Sequence, residues 1–299
     1  MKTYKSLVMK TLSKFVSTSS ISLLVITSPV LISGSHKKPI NTSDAISTIS
    51  APAYSSPIAN KIPNYAAPTH SIAIVAVAEK KAENSVNYLA EKKAFEIKMV
   101  IQEATIMYSS MKLSRAGLNQ KAFEYAWRGY HNLLKNGALN KTNLLSICDF
   151  TQSSRKKRLY IIDVQHKKLL YNTYVAHGMN SGLEYASSFS NKPESFKSSL
   201  GFYITTRTYV GRNGLSLRVK GLEKGFNDMA TKRNISLHGS DYIGQDYLKN
   251  NGEMGRSLGC AAVPNTVSPK IIRTIKNGSC FFIYHPTKKY LTESYVING

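Results

Sequence analysis

Two stretches, I-S-L-H-G-S-D-Y at residues 235–242 and G-R-S-L-G-C-A-A-V-P at residues 255–264, decide how this chain is read. Each is a short β-type run that meets a glycine. Each presents one reactive side chain there, His238 in the first and Cys260 in the second. A thiol and an imidazole on adjacent turns are the minimum equipment for thiolate acyl transfer. The two lie 22 residues apart, enough for one loop to leave and return. No other pair of residues in the chain offers comparable chemistry. His238 is expected at a strand end with its ring in a cleft. A carbonyl near Gly239 is expected to hold the far ring nitrogen and set the tautomer. Gly259 lets the backbone pass close to a substrate, so that the Cys260 amide and its neighbours can face a developing oxyanion. Arg256, four residues before the thiol, reads equally as a carboxylate-binding group and as a solvated loop cation.

The texture around these turns is β. Runs such as L-L-S-I-C-D-F (144–150), R-L-Y-I-I-D-V (158–164) and L-L-Y-N-T-Y-V-A (169–176) are short, β-branched and aromatic. G-R-N-G (211–214) reads as a hairpin turn. The segment 265–278, with Pro269 near its start and Gly278 at its end, reads as a helix. Upstream, residues 82–135 carry apolar positions at near-3.6 spacing, broken at Gly117 and ending at Asn136-Gly137. The aromatic stripe there, Trp127 included, is assigned to the core. The chain therefore divides into a leader (1–35), a linker rich in Ser, Thr, Ala and Pro (36–81), a helical segment (82–140) and a β-rich domain (141–299). The apolar patch 72–78 interrupts the linker and is a candidate helix start or added strand.

The chain has 299 residues, with 40 Lys and Arg against 17 Asp and Glu, a net charge of +23. Such a balance points to an anionic partner without choosing one. The leader narrows the choice. Lys2, Lys5, Lys10 and Lys14 precede the apolar run 21–32, and Ser33-Gly34-Ser35 follows it, the order of a secretory signal. The run is too short and interrupted for a good membrane-spanning helix. Cleavage would remove the four lysines and leave +19. Export makes nucleic acid a poor partner and an envelope polymer a better one. Membrane contact is expected only through an uncleaved signal. Cys148 and Cys280 sit in apolar runs and read as buried hydrophobes or as a pair joining the first and last strands, with Cys260 the free thiol. A zinc site lacks the close C-x-x-C pair it needs, so neither metal nor cofactor is expected. There is no P-loop, dinucleotide fingerprint or G-x-S-x-G elbow.

The motif H-G-S followed by R-S-L-G-C-A-A-V-P resembles the signature of the murein L,D-transpeptidases with a YkuD-type catalytic domain. Further matches are Y-I-I-D-V (160–164), V-A-H-G-M-N-S-G (175–182), S-F-S-N (188–191), S-S-L-G-F-Y (198–203) and L-S-L-R-V-K-G-L-E-K-G-F-N-D (215–228). The resemblance implies an α+β, mainly β sandwich or barrel with the N-terminal helices packed on it. It implies Cys260 as nucleophile, His238 as base and the Gly239 carbonyl as the group orienting that base. Ser257 and Gly259 fall on the S-x-G-C turn. The implied reaction cleaves an L-centre–D-alanine bond in a peptidoglycan stem peptide through a Cys260 thioester, which a neighbouring stem amine resolves. Carbapenems are implied inhibitors. Many relatives have a histidine where Leu258 stands and an arginine where Ala262 stands. Arg256 or Arg218 is expected to supply the missing charge. His177, before Asn180 and Gly182, is either a rim residue touching the stem peptide or a turn histidine held by backbone. The rival readings are an L,D-carboxypeptidase, an enzyme tethering protein to murein, and a non-catalytic basic wall-binding module.

Overall fold

Alanine, glutamate and lysine dominate residues 79–98, and such residues lose little freedom in a helix. A computed structural model describes residues 70–299, and α1 runs over His70–Ser110. The helix starts inside the stretch expected to be linker, and it takes in the apolar patch 72–78. The expected signal and the rest of the linker lie outside the described residues. Lys112 and Gly117, both with positive φ, bracket a single 3-10 turn at Leu113–Ala116 that reverses the chain. Asn119 then caps α2 (Gln120–Lys135), its side chain accepting from the amides of Lys121 and Ala122. Phe123, Ala126, Trp127, Tyr130 and Leu133 lie buried on one face of α2, and Phe123 stacks on Trp127 with ring centres 5.5 Å apart. Ala104, Met107 and Tyr108 of α1 join the same core. Trp127 is thus a core residue. Gly137, with φ 64°, ends the helix as expected. Among the described residues no helix is long and apolar enough to cross a membrane.

The rest is built on one eight-stranded sheet. Its strands are β1 (Leu144–Asp149), β2 (Leu159–Asp163), β3 (Lys168–Thr173), β4 (Gly201–Gly211), β5 (Gly214–Gly221), β6 (Ser236–Ser240), β7 (Ala261–Pro264) and β8 (Cys280–Tyr284). They lie in the order β3-β2-β1-β8-β4-β5-β6-β7. Two pairs, β1 with β8 and β6 with β7, are parallel; the others are antiparallel. The hairpin expected at Gly211–Gly214 joins β4 to β5. The expected α+β class holds, with the strands continuous in a single sheet and α2 laid on its centre.

Parallel strands cannot be joined by a tight turn, so each needs a crossover. For β6–β7 the crossover is residues 241–260, including α3 (Gln245–Asn251). After β7, α4 (Ser268–Ile275), with Pro269 in its first turn, buries Ile271, Ile272 and Ile275 before the chain enters β8. The last helices, α5 (Lys288–Glu293) and α6 (Tyr295–Asn298), are tied back by Glu223. That buried carboxylate accepts from the Phe202 amide at 2.7 Å, from the Tyr290 hydroxyl at 2.9 Å and from the Ser294 hydroxyl. Asn227 is a turn former. Its Oδ1 accepts from Glu223 N at 2.8 Å, and its Nδ2 donates to the carbonyls of Leu200 and Phe202.

Cys148 and Cys280 are both wholly buried free thiols. They stand on adjacent strands, but the register pairs Cys280 with Leu145 and Cys148 with Ile283. An offset of three rungs separates them by about 10 Å along the strands, beyond the Cα span of about 7 Å that a disulfide tolerates. The pairing weighed from the sequence is therefore excluded by register.

The contact of α2 with the sheet has no spare room at Gly129. A Cβ there would overlap the ring of Phe202, which itself stacks on Phe282 at 4.0 Å. Gly129→Ala is expected to cost about 1–3 kcal/mol of stability through overpacking. A lowered urea midpoint at unchanged slope is the signature to look for.

Candidate active site

The sheet register puts the reactive residues in a row. Ser216 of β5 pairs with His238 of β6, and Arg218 with Ser236. His238 in turn pairs with Ala262 of β7. Paired residues share a face and alternate ones face opposite ways. Leu217, Leu237, Ala261 and Val263 accordingly enter the core. Ser216, Arg218, Ser236 and His238 project to the other side, where Cys260, the residue before β7, extends the row beside Ser236. His238 lies mid-strand, two residues before the end of β6, rather than at the strand end expected.

The imidazole is held tightly. Its Nδ1 lies 2.9 Å from the Gly239 carbonyl oxygen, so Nδ1–H donates there and Nε2 is left for the thiol. The ring is nearly buried and lies within hydrogen-bonding reach of Cys260. The thiol is partly exposed, unlike Cys148 and Cys280. Its Sγ stands 3.7 Å from Ser236 Oγ and 3.8 Å from the Asn234 carbonyl. Behind Ser236, the Tyr209 hydroxyl donates to Ser236 Oγ at 3.3 Å, and the Arg218 guanidinium sits 4.6 Å over the Tyr209 ring.

These contacts set the protonation states. Burial alone pushes the Cys260 thiol up, but hydrogen bonding and charge from His238, with help from Ser236, outweigh it and hold the thiol below its ordinary range. Burial pushes His238 down, while the bonds to Cys260 and to the Gly239 carbonyl more than reverse that, so its pKa is raised. The shifts have opposite signs, as a thiolate–imidazolium pair requires.

The cysteine turn is stapled from beneath. Ser257 is buried; its hydroxyl donates to the Cys260 carbonyl at 2.7 Å and accepts from the Gly259 amide at 3.0 Å. The Ser257 amide donates to the His177 carbonyl at 2.9 Å, and the Met179 amide donates to the Ser257 carbonyl at 2.7 Å. Gly259 has φ 116°, and a Cβ there would press on the Lys197 carbonyl at 2.7 Å. The Gly259 amide is thus spent inside the turn and does not face a ligand. Arg233 closes the turn from the side. It donates to the carbonyls of Ser190 at 2.7 Å and Lys197 at 2.6 Å, with its charge near the thiol.

Of the other residues singled out from the sequence, His177 takes the structural role. Its ring is wholly buried, with Nδ1 accepting from Arg158 Nη2 at 2.7 Å and Nε2–H donating to the Gly182 carbonyl at 3.2 Å. Burial, then the Arg158 charge, lowers its pKa to about 4, so it stays neutral. A ring with both nitrogens engaged and no exposed surface does not touch a stem peptide. Ser257, likewise turned inward, holds the turn instead of meeting a ligand. Arg256 is partly exposed. Its Nη1 lies 3.5 Å from the Gly182 carbonyl, and it lines a recess of ≈ 310 Å³ with Met179, Tyr242 and Tyr247. Arg218 faces the site side but is committed to the Tyr209 ring. Leu258, beside the thiol, is 62% exposed and adds an apolar edge.

Four residues here escaped the sequence reading. Ser236 was within reach of it, because it lies two residues before His238 and alternation puts it on the same face. Tyr209 and Arg158 come from distant segments; Arg233 lies two residues before the His238 stretch but carries no local signal for its bonds to Ser190 and Lys197. Arg158 is wholly buried, donating to the carbonyls of Gln152 at 2.8 Å and Val175 at 3.0 Å as well as to His177. Among the described residues no group of His, Cys, Asp and Glu is placed to hold a metal ion.

The L,D-transpeptidase catalytic domain family, YkuD type, matches residues 114–284, more than half of the chain. No curated protein matches it. Similar solved structures include an L,D-transpeptidase from Mycobacterium smegmatis, at 11% identity and TM-score 0.29, covering 48% of this chain and 59% of that one. Another is the helical cell shape determining protein Pgp2 from Campylobacter jejuni, in its K307A form, at 16% identity and TM-score 0.32, covering 53% and 56%. A third is an L,D-transpeptidase from Xylanimonas cellulosilytica, at 13% identity and TM-score 0.29, covering 52% and 68%. The chain thus spans less than two thirds of the mycobacterial and Campylobacter proteins. With the stapled cysteine turn and its imidazole inside the matched region, the chain belongs to the L,D-transpeptidase catalytic domain family.

Proposed function

We propose that this protein is a peptidoglycan L,D-transpeptidase that forms crosslinks through a Cys260 thioester. The observation that carries the reading is the Gly239 carbonyl holding His238 Nδ1, which aims Nε2 at a partly exposed thiol. In the first half-reaction the Cys260 thiolate attacks the carbonyl of the L-centre residue in the donor stem. His238, protonated, gives its proton to the departing D-alanine nitrogen, so the amide bond breaks as the thioester forms. In the second, an acceptor amine loses a proton to His238 and attacks the thioester. An amide forms and the thiolate leaves. Ser236, backed by Tyr209, supports the sulfur in its charged state. Arg256 is the cation placed to meet a substrate carboxylate, in the role that Ala262 cannot fill. The envelope is the compartment that this substrate implies, and residues 1–35 are the segment suited to direct export there.

Cys260→Ala is expected to abolish release of D-alanine and formation of new crosslinks on isolated sacculi, with the far-ultraviolet spectrum unchanged. Muropeptide analysis reads the product: crosslinked stems support transfer to an amine, and shortened uncrosslinked stems instead show water as the acceptor. Intact-mass measurement with a carbapenem should give one adduct, absent from Cys260→Ala. Turnover that survives the substitution removes the thiol from the mechanism.

The thiol's lowered pKa makes its reactivity pH-dependent in a stated direction. Alkylation of Cys260 should rise with pH through a midpoint below the usual cysteine value of about 8.5. In His238→Ala the cation is gone, only Ser236 still opposes burial, and the midpoint should move up. Transfer itself should fall by about 10²–10⁴-fold in that variant. Cys148 and Cys280, wholly buried with their thiols pushed up by burial, should stay unmodified in the folded protein. Equal midpoints in the two proteins would show that the imidazole does not act on the sulfur.

A further inference from the structure

The strand pair that carries the thiol ends, at Ser240 and Pro264, in the wall of a second cleft. Its volume is ≈ 480 Å³, within the range of about 300–1,000 Å³ of ordinary small-ligand sites. Tyr171 of β3, Tyr174 just beyond it and Tyr247 of α3 line it. Planar polar groups stand among them: Asn172, Gln245 and Asp246. The Tyr174 hydroxyl donates to Gln245 Oε1, which leaves the Gln245 NH₂ to donate elsewhere. Asp246 is an exposed carboxylate in a strongly basic chain.

This mixture selects among ligands. An apolar molecule would leave Asp246 and Gln245 unmatched. An anion would meet two carboxylates, Asp241 and Asp246, against the single cation Lys157. A sugar ring matches both halves. Its C–H faces lie on aromatic rings, while hydroxyl and acetamido groups bond to carboxylate and carboxamide.

The spacing from the thiol points the same way. Cys260 to Pro264 is four steps along β7, about 13 Å at about 3.3 Å per residue. In peptidoglycan the stem hangs from a sugar by a short acid linker. Three extended residues add about 10 Å before the carbonyl that Cys260 would attack. Tyr247 lines both this cleft and the recess that holds Arg256, four residues before Cys260, so the two depressions share a wall. We infer that the Tyr171–Tyr174–Tyr247 cleft binds an N-acetylated sugar of the glycan strand and so presents its stem peptide to Cys260. This assignment rests on peptidoglycan being the substrate.

The test is a nuclear magnetic resonance titration of the full chain with a tetramer of N-acetylglucosamine. Saturable shifts are expected at the amides of residues 171–174 and 244–247. Gln245→Ala and Tyr247→Ala should each weaken binding by about tenfold. Both residues lie on the short surface helix α3 or its first turn, away from the two main cores, so the variants are expected to fold. Cys260→Ala should bind the sugar as the unmodified protein does. Absence of saturable shifts, shifts mapping to another surface, or affinity unchanged in both cleft variants overturns the assignment. The titration needs no turnover. A chain that binds the sugar but never releases D-alanine therefore overturns the transpeptidase reading alone, and a chain that turns over without binding the sugar overturns the cleft alone.

Discussion

The parallel pairing of β6 with β7 is the constraint on which the site depends. It sets His238 opposite Ala262 and leaves Cys260 one step before β7, on the same face and beside Ser236. A parallel pair needs a crossover, and residues 241–260 supply it. That single connection does two things. It returns the chain to the face it left, and its first residues, Asp241 and Tyr247 among them, line the tyrosine-bearing cleft. A slip of one residue in the pairing would turn Cys260 into the core with Ala261 and Val263, because side-chain direction alternates along a strand.

Around that pairing lies a layer of polar staples that keep a strained turn in place. Gly259 adopts a backbone conformation that side chains disfavour, and the turn persists because Ser257, Arg233 and the 177–179 backbone all bond to it or to the segment under it. Two of the supports are buried or half-buried arginines satisfied mainly by carbonyl oxygens. Desolvation lowers the pKa of both, that of Arg158 to about 10. Such groups are costly to bury, and removing their partners costs more. They stiffen the surroundings of the thiol, which matters because a nucleophile and base work only when their geometry is held before the substrate arrives.

The charge of the chain falls into place with this arrangement. A net +23 suits an anionic polymer in general, but it says nothing about where on the protein that polymer lies. The local pattern is more telling. Arg256, four residues before the thiol, lines a recess, while the neighbouring cleft is aromatic and carries Asp241 and Asp246 against Lys157. A basic molecule thus carries, beside the strand pair that leads to Cys260, a cleft whose lining is mainly aromatic and polar.

From residue order alone, the two glycine-flanked motifs identified the thiol and its imidazole, and their flanking runs identified strands. The 3.6-residue periodicity with its Asn136-Gly137 terminator located α2, and Gly211 to Gly214 located the β4–β5 turn. These are local signals, carried by alternation, periodicity and turn residues, and so they are legible in one dimension. The partners of the site were not legible. Ser236 lay within the reach of alternation, but Tyr209 and Arg158 reach the site only because segments distant in sequence are neighbours in the fold, and Arg233, though beside the His238 motif, acts through the distant Ser190 and Lys197. The same is true of His177, whose ring is buried on Arg158, and of Cys148 and Cys280, which share adjacent strands yet stand three rungs apart. Sequence determined which groups can do chemistry; register and strand order, set by long-range packing, decided which of them meet.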